Sequence, residues 1–440
     1  MSNTIGMKLK KSEWEGNRMG NVYYKISEVT DFGPYVTKLV LPLKASVTAE
    51  AVKANCFSVY VERKDNRGEV HLLPKSWFER DEKIPSKGYC LVKEAYPSCR
   101  NGVRSERGDY ITLELKAEPL GLSAEVAAPN MMNEFVFSDY RVTQVAEIAA
   151  KGEMLSGLVF DLCAGNTTKQ TEGFLHGISS NAEEPLKYGY FVPQTGRGKY
   201  PLIIWLHGGG EGGQDPAIAY AGNKVVNLAS EDIQSKFGGA FLFVPQAPTF
   251  WLDDGSGEYG RSGKSMYVKA LKAAIDEFIV RNDVAIDRNR IYLGGCSNGG
   301  FMTMRMLIDY PDFFTAAYPV CEALYDETIS DEDINAIKQI PIWFTHAKDD
   351  TIVVPEETVV PTYKRLIEAG ARNVHFSYFD NVVDLHGLFT EEGEKPYVYH
   401  GHFTWIYALN DDCRLDYDGK PVVEEGKEVT LMSWLARQSK

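Results

Sequence analysis

Three hydrophobic patterns follow one another along the chain. From about Val22 to Lys116 the period is two. Tyr35, Thr37, Leu39 and Leu41 alternate with Val36, Lys38 and Val40, and Phe57, Val59 and Val61 alternate with Ser58, Tyr60 and Glu62. Ile111, Leu113 and Leu115 alternate in the same way with Thr112, Glu114 and Lys116. Successive side chains of a strand face opposite sides of its sheet, so this alternation predicts strands buried on one face. Turn clusters such as Asp65-Asn66-Arg67-Gly68 and Arg107-Gly108-Asp109 punctuate them. Short strands with little helical period point to an antiparallel β-sandwich.

The Cys-Trp-Cys pattern of antibody domains is missing, so the sandwich is immunoglobulin-like in architecture alone. Between Pro119 and Asn181 the pattern blurs. Ala124 to Met132 is small and apolar without a period, while Phe135 to Val145 and Leu155 to Leu162 read as strands. A domain boundary near residue 150 is expected, with an all-β domain over 1–150 and a second domain over 151–440.

From Leu186 strands alternate with helices. Leu186–Val192, Tyr200–Leu206, Ala240–Val244, Arg290–Leu293, Thr315–Val320 and Ile340–Thr345 read as strands, the second a nearly continuous apolar run suited to a sheet covered on both faces. Met266 to Val280 places Tyr267, Ala270, Leu271, Ala274, Ile275 and Phe278 on one helical face. This βαβ rhythm predicts an α/β fold with a doubly wound, mostly parallel sheet.

One strand of that series runs into Gly294-Gly295-Cys296-Ser297-Asn298-Gly299-Gly300, and Met302 to Ile308 then reads as a helix. This is a G-x-S-x-G nucleophile elbow in a strand-turn-helix context. So abrupt a turn strains the serine backbone and brings neighbouring chain too close for side chains at Gly295 and Gly299. The first amides of the new helix, Asn298 included, converge on the space beside the hydroxyl, where an oxyanion meets N–H donors and a helix dipole.

Composition adds limits. With 440 residues and 44% hydrophobic content the chain has ample core for about two domains. A formal net charge of −14 argues against nucleic acid or an anionic membrane as the main partner, since both require clustered cations. Met1–Asn21 is polar, without the apolar core of a signal peptide, and no later run spans a bilayer, so a cytoplasmic protein is expected. Seven scattered cysteines without a C-x-x-C pair predict reduced thiols and no zinc site; only Cys90 and Cys99 are near one another in sequence.

A serine nucleophile needs a base, and the base an orienting carboxylate. Downstream stand His346-Ala347-Lys348-Asp349-Asp350-Thr351-Ile352-Val353-Val354-Pro355 and His400-Gly401-His402-Phe403-Thr404-Trp405, and upstream lies His207-Gly208-Gly209-Gly210-Glu211-Gly212-Gly213. With the elbow, these runs resemble the serine esterases of the α/β-hydrolase superfamily. The nearest resemblance is to bacterial esterases with an immunoglobulin-like N-terminal domain, related to polyhydroxyalkanoate-depolymerase-like and prolyl-oligopeptidase-like hydrolases. The motifs cover about residues 186 to 410; the N-terminal part matches by domain order and strand content.

The resemblance implies Ser297 as nucleophile, His402 as general base and then acid, and Asp350 as orienting carboxylate. The H-G-x-x-D-x-x-V register selects Asp350 over Asp349, although Ala347 stands where the family has glycine. His400 and His386 compete with His402 but do not precede the T-W pair. The amides of Asn298 and Gly209 would form the oxyanion hole, with His207 in a supporting role. Trp251, after a strand on the same edge, is expected to line the acyl or alcohol pocket, with a core or rim aromatic as the equal alternative. Cys296 is expected to point into packing, and Asp253–Glu258 to be a solvated loop without calcium-loop spacing.

These readings lead to a metal- and cofactor-free serine carboxylesterase acting on short acyl, aryl or polysaccharide-linked esters. A prolyl-oligopeptidase-like peptidase is the second reading, although the N-terminal region is too short for a β-propeller and carries no blade repeat. A hydrolase-fold binding protein without catalysis, recognising carbohydrate or protein, is the third. Gating, substrate holding, self-association as a homo-oligomer and plain structural support are the roles open to the β domain.

Overall fold

The computed structural model describes residues 22–65, 67–69, 73–74, 81–129, 131–180, 184–194, 198–257, 261–389 and 395–440. Met1–Asn21, Asn66 of the first turn cluster, Asn181 and Glu258 of the acidic loop lie outside them. The chain divides into two compact units.

The first unit holds the described residues up to Glu28, with 34–127 and 135–169. It is built from a seven-stranded sheet and a four-stranded sheet. In the larger, Gly33–Thr48 pairs antiparallel with Arg107–Leu115; in the smaller, Phe137–Gln144 lies between Val159–Phe160 and Phe57–Lys64. The expected alternation is clearest in Phe57–Lys64, where every second residue from Phe57 is buried. Inward residues of both sheets share one core, including Tyr23, Leu39, Leu41, Val59, Val61, Leu113, Tyr140 and Val142. Burying Tyr23 satisfies its hydroxyl as well, since that oxygen accepts the Tyr140 N–H at 2.8 Å.

The sandwich runs past the expected boundary at 150. Leu162–Thr167 pairs in parallel with Val22–Ile26, the opposite end of the same unit, so these residues belong with the sheet they complete. Two short pieces go the other way. Val29–Gly33 and Ala128–Glu134 are part of the second unit, together with Gln170–Lys440.

That second unit is organised by an eight-stranded sheet: β1 (Phe174–Ile178), β2 (Lys187–Phe191), β3 (Tyr200–Leu206), β4 (Phe241–Gln246), β5 (Ile286–Cys296), β6 (Ala316–Val320), β7 (Ile342–Ala347) and β8 (Val374–Phe379). The spatial order is β1-β2-β4-β3-β5-β6-β7-β8. The first two junctions are antiparallel and the remaining five parallel. Six of the seven residues of β3 are buried, as a strand covered on both faces requires. The amphipathic helix α1 (Val268–Arg281) covers one face with Leu271, Ala274, Ile275 and Phe278, and α2 (Asn298–Asp309) follows β5 directly. Among the described residues no helix is long and apolar enough to cross a membrane.

Doubly wound sheets offer their strands' C-terminal ends to ligands, because successive loops diverge there. The segments after β3, β4, β5 and β7 bring the marked motifs to that edge.

Candidate active site

Ser297 joins β5 to α2 with φ 55° and ψ −116°, a strained conformation for a residue with a side chain. Its surroundings impose that turn. A Cβ on Gly295 would stand 2.5 Å from the Leu206 carbonyl oxygen, and one on Gly299 would overlap the same carbonyl. A Cβ on Gly300 would reach the Glu322 Cα at 2.7 Å. The elbow therefore closes only with glycine at these positions. The Ser297 N–H, donating to the Val320 carbonyl at 2.9 Å, anchors the turn to β6.

Two further side chains complete a hydrogen-bonded line. His402 sits in the short turn Gly401–Phe403, its Nε2 3.0 Å from Ser297 Oγ and its Nδ1 2.8 Å from Asp350 Oδ2. Donation from Nδ1–H to the carboxylate leaves Nε2 able to accept the serine proton. Asp350 follows β7; its Oδ1 accepts the N–H groups of Ile352 and Val353 at 2.9 and 3.0 Å. Burial alone would raise the Asp350 pKa, but hydrogen bonds from His346 and His402 outweigh it and hold the carboxyl well below its usual range. The acid is thus kept ionised beside the imidazole it orients.

The competing residues have other employment. His400 Nδ1 accepts the His402 N–H at 3.1 Å and so caps the turn, and His386 Nε2 faces Asp412 at 2.9 Å. Asp349 packs so tightly beneath Gly401 that a Cβ there would overlap its carboxylate. This explains the glycine between the two histidines. Cys296 is buried, which pushes its thiol well above the ordinary range and leaves it a neutral packing group.

The glycine run after β3 lies against the elbow: a Cβ on Gly208 would meet Cys296 Sγ at 3.3 Å. His207 fastens the start of this run. Its Nδ1–H donates to the Gly208 carbonyl at 2.6 Å and its Nε2 accepts the Ala247 N–H at 3.0 Å. Burial lowers its pKa to about 4, so the ring is neutral and fixed in one tautomer. Asn298, whose amide is the other expected oxyanion donor, ties the head of α2 to the segment after β4 by accepting the Leu252 N–H on Oδ1 at 3.0 Å.

Of the readings open for Trp251, pocket lining gives way to the core. The residue is 0% exposed and belongs to the core, its ring 5.2 Å from that of His207 and 6.0 Å from that of Tyr267. Its neighbour Phe250 is the aromatic at the glycine run, where a Cβ on Gly209 would meet the Phe250 ring at 3.3 Å. Adjacent residues leave a chain in opposing directions, and sequence alone does not say which faces inward. In the acidic loop, Asp253 accepts from the Thr249 hydroxyl and the Gly255 N–H, and Asp254 from the Ser256 N–H, so both carboxylates are spent on their own segment.

Sequence reading missed the part played by His346, used there only to set the register of Asp350. Its Nε2 lies 2.9 Å from Asp350 Oδ2 and 3.0 Å from the Val353 carbonyl. The four-residue spacing was the available signal.

Comparison with known proteins agrees with this architecture. The family described as the esterase Ig-like N-terminal domain matches residues 22–157, and the prolyl oligopeptidase family matches residues 249–339, a stretch that contains Ser297. A poly(3-hydroxybutyrate) depolymerase of Ralstonia pickettii is 30% identical over 134 residues, 29% of this chain and 27% of that protein. The chain thus matches little more than a quarter of that relative's length. A solved structure described as a thermostable esterase superposes with a TM-score of 0.71 at 24% identity, covering 95% of this chain and 100% of that one. An acylaminoacyl peptidase of Pyrococcus horikoshii gives a TM-score of 0.39 at 17% identity over 66% of this chain and 49% of its own. Sheet order, elbow and structural likeness together give the second unit an α/β-hydrolase fold, and residues 22–157 match the esterase Ig-like N-terminal domain.

Proposed function

We propose that the protein is a serine carboxylesterase. The observation that carries this reading is the line from Ser297 Oγ through His402 to Asp350, with spacings of 3.0 and 2.8 Å. Ser297 Oγ attacks the ester carbonyl as His402 Nε2 takes its proton. Asp350, kept ionised, stabilises the imidazolium through Nδ1–H. The amides of Asn298 and Gly209 receive the developing oxyanion in a site whose dipoles are already oriented. His402 then protonates the departing alcohol, and a water activated by the same nitrogen releases the acid and restores Ser297. The reaction draws on protein groups alone.

Small acyl and aryl esters are the substrates this reading favours, with polysaccharide-linked esters as bulkier members of the same class. The likeness to a poly(3-hydroxybutyrate) depolymerase adds short hydroxyalkanoate oligomers to the panel. The match of residues 249–339 to the prolyl oligopeptidase family keeps a peptidase as the second reading. The test is a hydrolysis screen with p-nitrophenyl esters of increasing acyl length, short hydroxyalkanoate oligomers, methyl ferulate, acetylated xylan and a peptide amide, alongside Ser297→Ala. Ester turnover lost in the variant supports the proposal. Ester turnover persisting in folded Ser297→Ala, or cleavage of the amide alone, overturns it.

A further inference from the structure

Beyond the Ser297–His402–Asp350 line, one carboxyl group is buried against the loop that carries the expected oxyanion donor. Glu211 ends the turn Gly209–Glu211 and is 8% exposed. Its Oε1 accepts from Asn133 Nδ2 at 2.9 Å, and the Glu211 N–H closes the turn by donating to the Gly208 carbonyl at 3.3 Å. A second tie joins the same segments, the Asn133 N–H donating to the Gly210 carbonyl at 2.6 Å. From the other side Gln246 Nε2 donates to the Glu211 carbonyl at 2.9 Å. Asn133 belongs to Ala128–Glu134, one of the two short pieces that join the second unit.

The contacts are close enough to explain the residue types. A Cβ on Gly210 would stand 3.1 Å from Asn133 Nδ2, and one on Gly208 3.1 Å from Glu211 Oε2. Three consecutive glycines have wide conformational freedom, and that freedom opposes a fixed donor. An oxyanion hole lowers a barrier only if its dipoles are held before charge develops. Asn133 holds the loop at the Glu211 carboxylate and at the Gly210 carbonyl, contacts that do not engage the Gly209 amide.

We propose that Glu211 and Asn133 form a positioning pair for the oxyanion hole, bracing Gly208–Gly210 so that the Gly209 amide keeps its place beside Ser297. The inference rests on the serine-esterase reading. The pair touches no reacting atom; it acts through the loop. Burial raises the Glu211 pKa from 4.5 to about 7, against the pull of its donors, so the brace keeps a carboxyl group where an apolar side chain would pack at less cost. The neighbouring groups are neutral: Cys296 through burial, and His207 in its single tautomer.

The experiment uses the full chain, p-nitrophenyl acetate and a trifluoromethyl ketone, which binds as the oxyanion of its serine adduct. Asn133→Ala and Glu211→Gln are compared with wild type for kcat, KM, inhibitor Ki and the number of sites titrated to completion by an organophosphonate. The expected result is kcat lower by about 10- to 100-fold, KM within about 2-fold, Ki raised in step with the loss in kcat, and a full number of titratable sites. Should Glu211→Gln fail to fold, Asn133→Ala decides, because it removes the amide donor and leaves the carboxylate. Unchanged kcat and Ki in folded Asn133→Ala overturn the inference. A kcat loss matched by an equal loss of sites titrated to completion by an organophosphonate also overturns it, since fewer active molecules mean a structural role. Wild type that neither hydrolyses any ester nor is labelled at Ser297 by the organophosphonate removes the underlying reading itself, an outcome distinguishable because it does not depend on the variants.

Discussion

His346 directs Nε2 at Asp350 Oδ2 from 2.9 Å, so the carboxylate oxygen that orients His402 serves two imidazoles. Both histidines help to keep Asp350 ionised. His346→Leu removes one donor from a buried charge, at a cost of about 1.5–3 kcal/mol. We expect kcat to fall by about 10- to 100-fold while Ser297 remains labelled by an organophosphonate. The sign on stability follows from the lowered pKa. The contribution of Asp350 is complete above its unfolded value of about 4 and is lost as pH falls toward its folded one, and His346→Leu should bring that loss to higher pH. Acid unfolding followed by tryptophan fluorescence measures the displacement.

A second buried acid works in the opposite direction. Glu322 is 1% exposed, accepts the Leu324 N–H on Oε2 at 2.8 Å and has Oε1 buried without a partner among the described residues. Burial raises its pKa to about 8. Stability from a raised carboxyl is complete below its unfolded value and lost as pH climbs through the folded one, here between about 4.5 and 8. Glu322→Gln mimics the protonated acid. Its melting temperature should change less than that of wild type between pH 5 and 9, and scanning calorimetry across that range would expose equal slopes if the idea is wrong.

The elbow tolerates no added carbon. Gly299→Ala drives a methyl group into the Leu206 carbonyl, and backbone on both sides prevents relief. A loss of about 3 kcal/mol or more is expected. Gly370→Ala is the control for a glycine with no atom within 4 Å of the added carbon, although its φ of 88° adds local strain. Urea unfolding midpoints that fall equally in both variants would contradict the steric account.

Phe32 packs at 5.4 Å against Phe403, the residue after His402, and at 5.3 Å against Tyr399. Beside it buried Asp31 accepts the Tyr399 hydroxyl at 2.8 Å and pairs with Lys224 at 3.1 Å. Phe32→Ala should therefore loosen the turn that carries His402, lowering kcat by about 10-fold with little effect on KM. Asp31→Asn takes from Lys224 its ion-pair partner at 3.1 Å and should cost about 1–3 kcal/mol. Steady-state kinetics and denaturant midpoints separate the two effects; a Phe32→Ala enzyme with wild-type kcat would show that the ring is not needed by the histidine turn.

Local signals made much of this molecule readable in advance. The period of two in Phe57–Lys64, the apolar run of Tyr200–Leu206 and the glycines around Ser297 each record a constraint imposed by near neighbours. The spacing from His346 selected Asp350, whose oxygen does face His402. What escaped was set by distant pairing. Leu162–Thr167 joins the sandwich only because Val22–Ile26 offers an edge, which moved the boundary past 150. Asn133 gave no periodic signal because its role is to meet a loop far along the chain. Trp251 and Phe250 share hydropathy and position, and only packing distinguishes the core ring from the one at the glycine run.

The hydrogen bond from Tyr399 to Asp31 closes a loop of 368 residues. A chain emerging from the ribosome can complete its first sandwich strands and the Ser297 elbow while both ends of that bond are still waiting for each other. His402 lies three residues beyond Tyr399 and 105 beyond Ser297, so the base is synthesised well after the serine it faces. A nascent or prematurely released chain would carry an accessible serine with nothing to deprotonate it. On the serine-esterase reading, hydrolysis switches on only when the histidine turn has been made and the two distant stretches have met.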